Sequence, residues 1–187
     1  MKIKIKKYRK VQSTNDIALK LIKQNVSQPT LIMTEKQTNG RGRVGKKWIS
    51  KKGNLFISLF FKYNPKKINF KQFAILNALL VKKIISKITL KRIKIKWPND
   101  LLFNKKKICG ILQEVIKFNR FDYLIVGVGL NTNISPKNNS FKSTCLKNIL
   151  NKDISNRKIL KDIITAYEKF LTERKRLSFS ELKRKYK

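Results

Sequence analysis

At 187 residues the chain is long enough for one domain with a full hydrophobic core and too short for two domains of ordinary size. Hydrophobic residues make up 41% and aromatics 10%, which excludes a chain too polar to fold. The formal net charge is +36, from 46 Lys and Arg against 10 Asp and Glu, an excess that ordinarily suggests nucleic acid or an anionic membrane as partner.

The lysines are spread along the chain rather than gathered in a stripe, and the joint abundance of Lys, Ile and Asn is the mark of a compositional bias acting on tolerant surface sites. Cys109 and Cys145 have no metal-ligand spacing and are too few for a disulfide framework, so both read as small buried residues in a reduced compartment. The basic start of the chain is not followed by the apolar stretch of a signal peptide, and no apolar run approaches the roughly 18 residues that span a bilayer. A cytoplasmic protein with no membrane partner is expected.

In chain order, residues 1–11 alternate Ile3 and Ile5 with lysines, which predicts an edge strand with one buried face. Ser13 or Thr14 can cap a helix with Asp16 in its first turn and Ile17, Ala18, Leu21 and Ile22 as its apolar stripe. Residues 30–34 read as a buried strand, 37–47 as a glycine-rich basic loop and 54–61 as a further strand. From Asn69 a long helix is marked by Phe70, Phe73, Ala74, Asn77, Val81, Ile84, Ile85 and Ile88. Three strands follow at 92–97, 107–116 and 121–129, joined by turns at Pro98-Asn99-Asp100, Asn104-Lys105-Lys106 and Asn119-Arg120. Beyond Asn133 the chain is polar and loop-like until a helix bearing Leu160, Ile163, Ile164, Tyr167, Phe170 and Leu171, with a short basic helix to finish. This order predicts an α+β domain: a mixed, largely antiparallel sheet covered by helices on one side.

The segment Gly40-Arg41-Gly42-Arg43-Val44-Gly45-Lys46-Lys47-Trp48 can wrap an anion, because its glycines allow close backbone approach and its cations supply fixed donors. Alone it suits equally a loop that touches RNA or one that is merely solvated. It is not a P-loop, which needs Gly-Lys-Ser or Gly-Lys-Thr at a helix start. Further on stand Lys96-Trp97-Pro98-Asn99-Asp100, Lys107-Ile108-Cys109-Gly110-Ile111-Leu112-Gln113-Glu114 and Gly127-Val128-Gly129-Leu130-Asn131-Thr132-Asn133.

With Ser13-Thr14-Asn15 upstream and Gln37 before the loop, these blocks in this order resemble the biotin protein ligase family, from about Ser13 to about Lys147. The resemblance implies a class II aminoacyl-tRNA synthetase/biotin synthetase-like fold. It also implies an ATP-dependent ligase that forms biotinyl-5'-AMP and passes biotin to a lysine of the biotin carboxyl carrier protein of acetyl-CoA carboxylase. Residues 1–187 are then expected to be the catalytic domain alone, with neither an N-terminal winged helix nor a C-terminal β-barrel.

On this resemblance Lys107, Arg43 and Asp100 carry catalysis, with Lys107 following charge from the biotin carboxylate to the α-phosphate. Ser13, Thr14, Asn15, Gln37, Arg41, Gly42, Arg43 and Lys107 bind biotin, the small polar groups meeting its neutral ureido ring. Gly40, Arg41, Arg43, Trp48, Asn99 and Asn131 contact ATP or the adenylate, and Asn99 and Asp100 are the candidate Mg ligands. Trp97 is a further candidate wall of the pocket.

Plainer structural readings exist for single residues: Ser13 and Asn15 as helix caps, Gly127 and Gly129 as aids to strand packing, Asp100 as partner of a surface lysine. Lys46 departs from the arginine that many relatives carry, keeping charge without the bidentate fork. Two alternatives stand beside the resemblance. One is a lipoate or octanoate ligase or transferase, whose longer glycine run with a histidine is absent here, since the chain has 0 His. The other is a basic nucleic-acid-binding module. A homodimer paired through an exposed sheet edge is compatible with the sequence, and no specific DNA partner is expected.

Overall fold

The computed structural model describes residues 1–137 and 141–173. Its elements run β1 (Lys4–Val11), α1 (Thr14–Lys23), β2 (Thr30–Gln37), β3 (Leu55–Tyr63), α2 (Phe70–Thr89), β4 (Lys94–Lys96), β5 (Asp100–Phe103), β6 (Lys106–Phe118), β7 (Phe121–Leu130), α3 (Leu146–Leu150) and α4 (Asn156–Glu173). The strands form one sheet in the order β1-β2-β3-β7-β6-β5-β4. Only β1 and β2 are parallel, and α1 supplies the crossover that a parallel pair needs. The remaining pairs are antiparallel and include three short hairpins, β4–β5, β5–β6 and β6–β7. Asn104 and Lys105 take positive φ of 47° and 61° in the β5–β6 turn, and Asn119 takes 52° in the β6–β7 turn, conformations that asparagine tolerates well.

Strand β3 is buried on both faces and divides the two cores. Leu55, Ile57, Leu59 and Phe61 point toward α2 and α4, where Phe73, Val81, Ile85, Ile159, Ile163 and Tyr167 close the larger cluster. Phe60 faces the other way and meets Ala18, Leu21 and Ile22 of α1 together with Ile32, Tyr123 and Ile125. Each fully buried Val, Leu, Ile or Phe among them contributes about 1.5–3 kcal/mol by leaving water. Asn77 sits on the apolar stripe of α2 and is fully buried. It is satisfied there, because its Oδ1 accepts from the Tyr167 hydroxyl at 2.8 Å and its Nδ2 donates to Gln113 at 2.7 Å. At the start of α2, Asn69 and Gln72 form a reciprocal capping box.

Several sequence expectations change. Helices cover both faces of the sheet, α1 on one side and α2 to α4 on the other, because β3 and β7 are apolar on both faces. Ile3 is buried near α4, but Ile5 is 42% exposed, since it lies on the edge strand beyond the reach of either helical layer. Strand β5 and helix α3 were not expected: β5 is four residues wedged between two turns, and α3 has five. The short basic helix expected at the end of the chain falls outside the described residues.

Candidate active site

The α1 face of β7 changes character within a few residues. Tyr123 and Ile125 lie in the apolar cluster under α1, whereas Gly127 and Gly129 follow on the same face, with Leu112 and Gly110 opposite them on β6. A β-carbon at Gly127 would stand 2.3 Å from Asn15 Oδ1, and one at Gly110 would stand 2.6 Å from the Trp48 ring. The bare stretch of sheet is what lets an amide and an indole lie flat upon it. Above this floor opens a cleft of about 760 Å³, of the size that encloses a small ligand.

One end of the cleft is neutral and polar. Ser13 is the N-cap residue of α1, yet its side chain makes no capping hydrogen bond and lines the cleft instead. Thr14 donates to Gln37 Oε1 from its backbone nitrogen at 2.8 Å and its hydroxyl at 3.0 Å, and Gln37 Nε2 donates to Ser50 Oγ at 3.0 Å. Ser58, fully buried on β3, lies within hydrogen-bond reach of Thr14 Oγ1 and Asn15 Oδ1. Asn15 Nδ2 donates to Glu114 Oε2 at 2.6 Å. These side chains are held by one another before any ligand arrives.

The basic loop forms a small hairpin over the cleft, closed by a bridge between Arg41 and Lys47. At its tip Lys46 N bonds Arg43 O at 3.1 Å, around Val44 and Gly45 with φ of 50° and 70°; a valine in that region is strained, a glycine is not. Arg41 is clamped: Nη1 and Nη2 donate to the two carboxylate oxygens of Glu114 at 2.8 and 2.9 Å, and Nη2 also lies 2.9 Å from Asp16 Oδ1. Burial works against the guanidinium charge, but these two carboxylates outweigh it and raise its pKa. Arg43 is exposed and reaches Asn99 Oδ1 at 3.4 Å.

Lys107 reaches the centre of the cleft because of a β-bulge. Leu101 pairs with Cys109 and Leu102 with Lys107, which leaves Ile108 as an extra residue in β6. Ile108 and Cys109 can then both enter the core while Lys107 turns to the cleft. Its Nζ lies 2.8 Å from Asp100 Oδ1, an ion-pair distance at an angle that makes no hydrogen bond. The same ammonium is 5.2 Å from the Trp48 ring and 5.1 Å from that of Phe141, within cation–π range. Asn99 is fixed by two bonds to Ile111, both 2.9 Å. Asn131 donates to Thr144 O at 3.2 Å, while its Oδ1 is buried with no hydrogen-bond partner among the described residues.

Ser13, Thr14, Asn15, Gln37, Arg41, Gly42, Arg43, Trp48, Asn99, Asp100, Lys107 and Asn131, gathered from distant parts of the chain, line this one cleft, as does Trp97. Gly40 does not: it is buried behind the loop, where a β-carbon would meet Trp48 O at 2.6 Å and Gln37 and Ser50 at 2.9 Å. Gly40 therefore shapes the loop base instead of facing a ligand. Asp100 pairs with the cleft lysine and not with a surface one. Sequence reasoning missed Ser58, Ser50 and the bracing carboxylates of Glu114 and Asp16. Glu114 and Gly110 share a face of β6 at even spacing, a signal that was present in the quoted block.

The fold and site define an α+β domain whose glycine-floored cleft has an uncharged polar end and a cationic middle, closed by a basic loop. Known proteins of this form agree. The Biotin/lipoate A/B protein ligase family matches residues 8–131, and the chain belongs to that family. The bifunctional ligase/repressor BirA of Bacillus subtilis is 32% identical over 167 residues, covering 85% of this chain and 51% of that protein. The biotin–[acetyl-CoA-carboxylase] ligase of Paracoccus denitrificans is 33% identical over 107 residues, covering 56% of this chain and 44% of its own length. The chain thus spans about half the length of these curated relatives. The solved biotin protein ligase of Aquifex aeolicus, in complex with biotin and ATP, superimposes with a TM-score of 0.82 at 34% identity, over 98% of this chain and 76% of that one. The class II synthetase-like fold is therefore common to both.

Proposed function

We propose that this chain activates biotin with ATP as biotinyl-5'-AMP and transfers biotin to a lysine of a biotin carboxyl carrier protein. One observation carries the reading: a preorganised neutral polar nest and a buried-side lysine occupy neighbouring parts of a single glycine-floored cleft. Biotin has the matching halves, an uncharged ureido ring that needs small donors and acceptors and a carboxylate tail that needs a cation.

In the first step the biotin carboxylate attacks the α-phosphorus and pyrophosphate leaves. Negative charge gathers between the acyl oxygen and the phosphate, where Lys107 supplies positive charge from the floor of the cleft and Arg43 from the loop above it. Trp48 offers a flat apolar wall for a purine, and the partnerless Asn131 Oδ1 is an acceptor suited to an exocyclic amine. In the second step a carrier amine attacks the acyl carbon, AMP departs and an amide forms. Asp100, at the Lys107 ammonium, is positioned to hold the entering amine. The loop over the cleft keeps water from the anhydride.

Among the described residues Asp100 is the one carboxylate lining the cleft, and no group of three or more His, Cys, Asp or Glu could cage a metal. That donor set fits an Mg²⁺ ion brought in on the nucleotide phosphates, with Asp100 and Asn99 as its protein contacts, and such an ion neutralises phosphate charge. The test is biotin-dependent exchange of pyrophosphate into ATP, followed by labelling of a carrier domain. Exchange driven by lipoate or octanoate and not by biotin would move the chain to the other branch of its family.

A further inference from the structure

Glu114 stands outside the cleft lining but touches two residues that belong to it. Its Oε1 accepts from Arg41 Nη1 at 2.8 Å, and its Oε2 accepts from Arg41 Nη2 at 2.9 Å and from Asn15 Nδ2 at 2.6 Å. The three residues come from β6, the basic loop and the first turn of α1, so a single carboxylate joins sheet, lid and polar nest.

We infer that Glu114 is a positioning residue that couples closure of the 40–48 loop to the orientation of Asn15, an inference that rests on the function proposed above. A carboxylate accepts only, so it dictates which end of the Asn15 amide faces it. The other end is settled too, since Asn15 Oδ1 accepts from Ser58 and rests against Gly127. Rotating the amide therefore breaks a charge-assisted bond. The fork to Arg41 needs both oxygens and the full negative charge, and together with Asp16 it engages three of the five guanidinium N–H donors. Nε of Arg41 is buried and without a hydrogen-bond partner among the described residues, so Nε and the second Nη1 hydrogen are what the side chain keeps for a ligand. Arg41 is thus mainly a strut and Arg43 the loop's exposed cation. Any ligand that orders Asn15 favours the closed loop, and a closed loop readies Asn15, because both states share the same acceptor.

Full-length Glu114→Gln keeps an acceptor for Asn15 and the side-chain size, but loses the charged fork. Its KM for biotin in the exchange assay should rise about tenfold, as expected for coupling between two sites, while kcat changes by less than about threefold. More biotinyl-AMP should escape to solution during carrier labelling. Hydrogen exchange should quicken at the loop amides of Gly42 and Trp48, which are bonded in the closed hairpin, and not across the rest of the chain. Arg41→Met should show the same defects, and the double variant should be no worse than Arg41→Met alone. Wild-type KM and escape in Glu114→Gln, additive defects in the double variant, or faster exchange throughout the chain would each overturn the inference. An inactive wild-type protein would remove the proposed function as well, whereas an active wild type with an indifferent Glu114→Gln removes only the coupling.

Discussion

A β-carbon at Gly129 would stand 2.4 Å from Cε2 of Trp48, so the indole occupies the space that any other residue type at 129 would claim. Both partners lie on the cleft lining. Gly129→Ala must displace the ring or shift the strand, and its cost should fall on nucleotide binding. We expect KM for ATP to rise about tenfold or more with the circular dichroism spectrum unchanged, an overpacking effect on a wall and not on the core. Unaltered ATP kinetics would show that the indole does not serve the nucleotide.

Lys107→Ala removes the ammonium from the middle of the cleft and leaves Asp100 without its counter-charge. Exchange activity should drop about a hundredfold or more, the scale seen when one preorganised donor is lost. Lys107→Arg should recover only part, because a planar fork cannot follow charge as a flexible ammonium does. The check is pre-steady-state formation of biotinyl-AMP, which isolates the first step.

Asn54 Oδ1 accepts from three successive backbone nitrogens, those of Thr132, Asn133 and Ile134, at 3.1, 3.0 and 2.9 Å. Asn54→Ala leaves them without that acceptor just beyond Asn131. Unfolding free energy should fall by about 3 kcal/mol in a urea titration, from the loss of several part-buried hydrogen bonds. A change under about 0.5 kcal/mol would mean that water replaces the side chain without loss.

Lys46, Lys47, Lys96, Lys105 and Lys142 also line the cleft and make its mouth strongly basic. Transfer from preformed biotinyl-AMP to an acidic carrier domain should slow severalfold between about 50 and about 300 mM salt as those charges are screened. A rate indifferent to salt would mark the charge as compositional only.

Cys109 is fully buried and burial pushes its thiol well up, so the thiolate is scarce in the folded protein. Cys145 is equally enclosed. Thiol reagents at pH 8 should label neither cysteine until denaturant unfolds the chain, and modification should track the unfolding curve. Fast labelling of the native protein would contradict the burial.

The long apolar periods of α2 and α4 and the β-rich middle were legible in the sequence because burial repeats at fixed spacing. The site residues were legible only as blocks in a familiar order, and nothing local said that Ser13 would forgo its capping role or that Asn15 would lie on Gly127. Ser58 was hidden inside an apolar strand, where a small polar residue looks like a weak point in the pattern. Glu114 gives no local sign of its partners Arg41 and Asn15, which lie 73 and 99 residues earlier in the chain. The second helical layer is α1 alone, ten residues long, and nothing in its apolar stripe says which face of the sheet it covers. Strand β5 was lost between two correctly expected turns.

The Ile108 side chain is buried beneath the sheet, yet its place in the ladder decides where Lys107 points. As the extra residue of the β6 bulge it shifts the strand's alternation by one place between Lys107 and Cys109. Regular alternation through the same residues, with Ile108 paired in the ladder, would put position 107 on the face of Cys109 and aim its ammonium into the hydrocarbon layer beneath the sheet. Reactivity here is a matter of phase as much as of chemistry.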